Sequence, residues 1–162
     1  MTSTQDDPEH ILDQVTSSLV HWDIQLAEIR LYSHSENIVY RVTSRDGGDY
    51  SLRVHRPGYH TQAELESEQV WTDALAHAGI DIPAAIPTTD GGYYVGVDCG
   101  REVRQVGLTH WLAGESLNAL IERHDADYAL CQLERVGALV ARCHDQASAW
   151  QPPAGFTRHR LN

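Results

Sequence analysis

The sequence predicts an α+β fold built on an antiparallel sheet with one helix crossing over it. Three observations point there. Two Asp-Gly-Gly turns, at 46–48 and 90–92, each separate runs of strand-like composition, which is how hairpins are punctuated. The apolar spacing gives the order helix, three strands, helix, two strands, helices. Hairpin connections make antiparallel pairing the default, and strands grouped apart from helices mark the α+β class.

In chain order, "DDPEHILDQVTSSLV" at 6–20 predicts a helix that Asp7 can cap and whose first turn suits Pro8; Ile11, Leu12, Val15 and Leu19 form its apolar stripe. Residues 25–32 and 37–44 read as two strands, and "RDGGD" joins the second to a third, "YSLRVHR". A helix follows over 61–78 and stops at Gly79. "IPAAIPTT" and "YYVGV" flank the second Asp-Gly-Gly turn as a further hairpin, and "REVRQVGLTHWL" supplies the fifth strand, ending at Gly114. Helices over 116–124 and 126–147 close the pattern, with no internal repeat and no low-complexity segment.

Composition narrows the function classes. The chain of 162 residues has a hydrophobic fraction of 41%, as in ordinary globular domains, and a formal net charge of -11. That charge disfavours a nucleic-acid partner and an anionic membrane surface, both of which select basic patches. No apolar run approaches the roughly 20 residues that cross a bilayer. The acidic, polar start "MTSTQDDPEH" does not read as a targeting signal. Cys99, Cys131 and Cys143 show no C-x-x-C spacing, which fits a reducing cytoplasm. Ten histidines include no H-x-x-x-H pair, and neither a G-x-S-x-G nor a Walker motif occurs.

One residue stands out. All twelve basic side chains are arginine, and one of them, Arg53, interrupts the third strand. Strand alternation puts Leu52 and Val54 on one face and Ser51, Arg53 and His55 on the other. The next helix has an apolar stripe of Leu65, Trp71, Leu75 and Ala78, and Glu68 falls on it while Glu64 and Glu66 are free to point away. An acid on a buried face needs a partner, and Arg53 is the nearest base that strand pairing aims at it. From these segments alone, a buried pair and two unrelated surface charges both fit.

A strand with a basic residue followed by a helix with an acid is also the core of the ATP-binding lobe of kinase-like phosphotransferases. The sequence resembles the amino-terminal lobe of the phosphotransferase enzyme family, the aminoglycoside-phosphotransferase-like small-molecule kinases. The resemblance runs over about residues 30–160, through "SENIVYRVTSRDGGDYSLRVHRPGYHTQAELESEQVWTDAL", "GIDIPAAIPTTDGGYY", "THWLAGESL", "LERVGALVARCHDQASAW" and "PPAGFTR".

The resemblance implies roles by position. Arg53 stands where relatives grip the α- and β-phosphates with Lys or Arg, and Glu68 where the helix acid holds that base. "SHSEN" at 33–37 occupies the nucleotide-covering turn but has no glycine; Ser35 and Asn37 with backbone N–H groups would approach the phosphates, or the segment is an ordinary polar turn. Ser51 would line the adenine slot, and "GLTHWL" at 107–112 matches the hinge, with Thr109 and Trp111 as its candidates. His144 reads as a packing or capping residue more readily than a catalytic one. The implied cofactor is ATP with Mg²⁺.

Relatives also carry a catalytic H-x-D-x-x-x-x-N loop and a metal-binding Asp on a second lobe. His21-Trp22-Asp23 is the sole H-x-D, but it precedes the nucleotide lobe and has Glu28 in the Asn place; "HDAD" at 124–127 and His144-Asp145 have the wrong spacing. The asparagines are Asn37, Asn118 and Asn162. The expectation is therefore a nucleotide-binding lobe over 1–114 and a hinge-following helical segment over 115–162, the start of a second lobe. It would be a family member truncated before the catalytic loop, or one that works with a separate catalytic lobe, and inactive alone. The alternative is a non-enzymatic interaction or dimerisation module that keeps the lobe fold.

Overall fold

The structure is a computed structural model that describes residues 7–158. The first six residues of the acidic amino-terminal stretch and the terminal Asn162 lie outside the described residues. By internal packing the chain forms two units. Among the described residues, one comprises 7–69, 83–111 and 157–158; the other comprises 70–82 and 112–156.

The first unit is a five-stranded sheet: β1 (Leu26–His34), β2 (Ile38–Ser44), β3 (Asp49–Val54), β4 (Tyr94–Asp98) and β5 (Val103–His110), in the order β1-β2-β3-β5-β4. Every neighbouring pair is antiparallel. The turn between β2 and β3 closes as its sequence requires. Gly47 takes φ +89°, Ser44 N donates to Gly48 O at 2.9 Å, and the Asp46 carboxylate accepts from Ser44 Oγ and from Gly48 N.

The leading helix is shorter than its pattern suggests. Asp7 accepts from Glu9 N (3.0 Å) in a turn over 7–10; α1 then runs Leu12–Ser17 and tightens into a 3-10 helix over Ser18–Trp22. Ser17 and Ser18 hydroxyls donate to the carbonyls of Asp13 (2.8 Å) and Val15 (2.6 Å), local bonds that compete with a regular helix. Asp23, at φ +54°, ends the segment.

"IPAAIPTT" does not form the expected hairpin arm. The Asp-Gly-Gly turn closes, with Thr88 N donating to Gly92 O at 2.7 Å, but the upstream arm pairs with β5 through Ile86 N to Leu108 O and His110 N to Ala84 O, each 2.9 Å. Pro83 and Pro87 have no N–H to donate, so only an isolated bridge, Ala85 to Thr109, remains between them.

One sheet face is dry. Ile38, Tyr40, Val42, Leu52, Val54, Val106 and Leu108 pack there against Ile11, Val15, Leu19 and Trp22 of the leading helices. Trp22 Nε1 donates to Ile86 O at 2.9 Å and the Tyr40 hydroxyl to Pro8 O at 2.6 Å, so both polar tips are satisfied. Of His21-Trp22-Asp23, only Trp22 anchors in the core, while His21 and Asp23 are exposed. The helix α2 (Gln62–His77) contributes no member of that cluster.

The second unit holds the later part of α2 with α3 (Leu117–Arg123) and α4 (Ala126–Ala149). Ser116 and Asp125 cap α3 and α4 through their side chains, as serine and aspartate do best. Trp71 Nε1 donates to Gln146 Oε1 (3.2 Å), and Arg142 Nη2 to Gly79 O (2.7 Å), where Gly79 at φ +76° closes the helix. His144 is exposed on α4 rather than packed.

Candidate functional site

The open face of the sheet carries the candidate residues. Residues directly opposite in register share a face. Arg53 stands opposite Val39 of β2 and Gly107 of β5, and Ser51 stands opposite Arg41 and Thr109. Two cross-strand rows therefore bring Arg53, Ser51 and Thr109 to one surface. This answers why an arginine sits in mid-strand: it faces away from the core that Leu52 and Val54 fill.

Glu68 meets Arg53 from α2, with Oε1 4.0 Å from Arg53 Nη1. The side chains are 44% and 26% exposed, so the two charges do meet but are not buried, and the direct contribution of the pair falls toward that of surface pairs. Glu68 Oε2 also accepts from Arg158 Nη1 at 2.6 Å. Glu64 does not point away: its carboxylate accepts from Thr61 N (2.8 Å) while Glu64 N donates to Thr61 Oγ1 (3.3 Å), a capping box that sets where α2 begins.

The surroundings of Arg53 are half dry. Gly107 lies under the ring of Tyr94, where a Cβ would come within 2.8 Å of Tyr94 Cε1. Burial pushes the Tyr94 phenol up to about 12, with the Glu68 charge adding to the effect. His55 is buried just past the end of β3, its ring edge-on to Tyr94 at 5.5 Å. Burial, and then the Arg53 charge, pull His55 down to about 4, so it is neutral near pH 7.

The covering turn and the hinge segment are engaged in bonds of their own. Ser35 is exposed, and its N–H donates to Asn37 O at 3.1 Å. Asn37 Oδ1 accepts from Arg56 N at 3.0 Å, bracing the turn against the end of β3. Trp111 N donates to Asp49 O at 3.0 Å, so Trp111 offers its ring rather than its N–H. That ring is edge-on to Tyr32 (4.7 Å) and lies beneath the Arg41 guanidinium (5.0 Å), which Asp49 holds at 2.6 Å. Among the described residues no group of three His, Cys, Asp or Glu side chains could hold a metal ion. The described residues do not fit a divalent ion.

Sequence reasoning put His55 on the Arg53 face and Gly107 in the hinge segment but missed Tyr94 and Arg158 as members of this neighbourhood. Arg158 lay inside the quoted "PPAGFTR" segment, yet nothing in its spacing from Glu68, ninety residues away, signals contact.

No helix of the described residues is long and apolar enough to cross a membrane. A protein of Deinococcus radiodurans, described only as uncharacterized, is 30% identical over 102 residues, or 63% of this chain and 27% of its own length. A solved microcompartment-associated aminopropanol kinase is 29% identical with TM-score 0.78, covering 93% of this chain and 45% of that one. The amicoumacin kinase hAmiN, solved in complex with AMP-PNP, Ca²⁺ and Ami, shares the fold at TM-score 0.74 and 16% identity, over 96% of this chain and 44% of its own. The chain thus spans under half the length of each of these proteins. The sequence model of the phosphotransferase enzyme family matches residues 28–162. With the five-stranded kinase-like sheet, that match establishes that the chain belongs to the phosphotransferase enzyme family.

Proposed function

We propose that this chain is the ATP-binding lobe of a small-molecule kinase that moves a phosphoryl group from ATP to a hydroxyl. The observation that carries the reading is Arg53, a guanidinium on the open sheet face, 44% exposed and steered by Glu68 from 4.0 Å. A base held this way is oriented yet free to fork onto two phosphate oxygens. In this reading Ser51 and Thr109, one row further along the face, line the adenine slot. The Trp111 ring closes its end, and the turn bearing Ser35 and Asn37 covers the phosphates. Neutral His55 and the Tyr94 ring keep the floor beside Arg53 low in dielectric, which strengthens its grip on an anion.

The domain reading follows: residues 1–114 form the nucleotide lobe, and 115–162 start the catalytic one. The H-x-D-x-x-x-x-N loop and the Asp that holds Mg²⁺ then come from sequence outside these 162 residues, in the same or another polypeptide. The exposed apolar side chains of α4 support this, because Leu130 (59%), Leu133 (48%), Val136 (41%) and Val140 (44%) recur at helical spacing on one side. Kinase activity by the chain alone is therefore not expected.

Calorimetric titration with AMP-PNP tests the reading. Measurable binding should weaken at least about tenfold in Arg53→Ala, the scale of one charge-assisted phosphate contact. Binding indifferent to Arg53→Ala, or none at millimolar nucleotide, would sink it.

A further inference from the structure

The turn between β1 and β2 is made without glycine, and it carries an acid. The two strands stay in register as far as His34 opposite Ile38, so Ser35, Glu36 and Asn37 alone turn the chain. Arg56, just past the end of β3, meets two of these three residues. Its N–H donates to Asn37 Oδ1 at 3.0 Å, and its Nη1 donates to Glu36 Oε2 at 2.5 Å. The guanidinium also lies over the Tyr59 ring, 5.5 Å from its centre. Side-chain exposures of 54% for Arg56 and 74% for Glu36 make this a surface pair, which adds little to folding stability.

We propose that Arg56 is a positioning residue for this turn: it ties the turn to the end of β3 and neutralises Glu36, so that an acid-bearing turn can lie over phosphates. The inference rests on the ATP-lobe reading, in which the turn covers the phosphates. Its physical basis is like-charge repulsion. A bare carboxylate opposes the approach of a triphosphate, and a counter-charge in contact with that carboxylate removes most of the opposition. The same contact holds the turn in place before the nucleotide arrives, which lowers the ordering cost of binding. The two arginines then have different tasks. Arg53 grips the ligand, whereas Arg56 holds the turn.

The experiment is a double-mutant cycle on the whole chain, with AMP-PNP as the probe. Arg56→Ala keeps the backbone bond to Asn37 and removes only the guanidinium. It should weaken binding about three- to tenfold, within the range of coupled neighbouring charges. Arg56→Lys should recover most of the loss, and Glu36→Gln should bind at least as tightly as wild type. On the Glu36→Gln background, Arg56→Ala should cost less than about twofold, because no charge is left to neutralise. An equal loss on both backgrounds would overturn the proposal, since Arg56 would then be meeting the phosphates itself. No loss on either background would overturn it too.

Amide hydrogen exchange without nucleotide is the second readout. The Ser35 N–H bonds to Asn37 O at 3.1 Å inside the turn, and Arg56→Ala should speed its exchange while Tm stays nearly unchanged. Exchange as slow as in wild type would end the proposal, and so would a large fall in Tm, which would mark a role in the fold instead. If wild type binds no AMP-PNP, the ATP-lobe reading falls and takes the charge-neutralising role with it. Exchange alone then decides whether Arg56 holds the turn.

Discussion

His55 shows how a single residue couples the site to stability. Its ring is 6% exposed, and burial followed by the Arg53 charge hold it near 4, against an ordinary value of 6.5. Above pH 6.5 the group is neutral in folded and unfolded chains alike and takes nothing from stability. As pH falls from about 6.5 to about 4 the unfolded chain binds the proton first, so stability is lost across that window, by about 3 kcal/mol when complete. Urea unfolding at a series of pH values should show this slope, and His55→Phe should flatten it above pH 5. The carboxylates of Asp46, Asp49 and Asp90 are held below their usual range, Asp46 and Asp90 by hydroxyl and backbone bonds and Asp49 first by Arg41. Their loss belongs at lower pH and should survive the His55 change. At Gly107 the argument is steric: Gly107→Ala drives a methyl into the Tyr94 ring.

At the scale of elements, the sheet depends on the short leading helix. Ile11 and Val15 are fully buried and Leu19 nearly so, all against the dry face formed by Tyr40, Val42, Leu52 and Val106. Ile11→Ala should lower stability by about 2–5 kcal/mol, the range for truncating a packed core side chain. Chemical denaturation would measure it, and a loss under 1 kcal/mol would mean the helix is a dispensable cover. Tyr40→Phe is a narrower probe. It leaves Pro8 O without the Tyr40 hydroxyl at 2.6 Å, a cost of about 1–2 kcal/mol.

For the molecule as a whole, the two units differ in how fully they bury their apolar residues. The sheet unit has a closed core, whereas α4 leaves Leu130, Leu133, Val136, Leu139 and Val140 between 41% and 59% exposed. A hydrophobic dye should bind the isolated chain, and Leu133→Gln with Val140→Gln should reduce that binding while helical circular dichroism stays unchanged. If α4 is where a catalytic lobe seats, the same double change should also weaken capture of a separately supplied lobe from a full-length relative.

The sequence by itself determined the α+β class, the family, the five strands and the main helices, because hairpin turns, capping residues and side-chain periodicity are local signals. Strand alternation and helix spacing offered Arg53 and Glu68 as a candidate pair, with two unrelated surface charges as the other reading. The sequence misjudged "IPAAIPTT", which bonds to β5 and carries two prolines without an N–H to extend a ladder. Only the tertiary structure decided how firmly Arg53 is held. That depends on Arg158 arriving from ninety residues away to share one carboxylate, and on Tyr94 lying over a glycine two strands across the sheet from Val39. Contacts between residues so far apart in the chain leave no mark in local pattern; they exist only once the backbone has brought the strands into register.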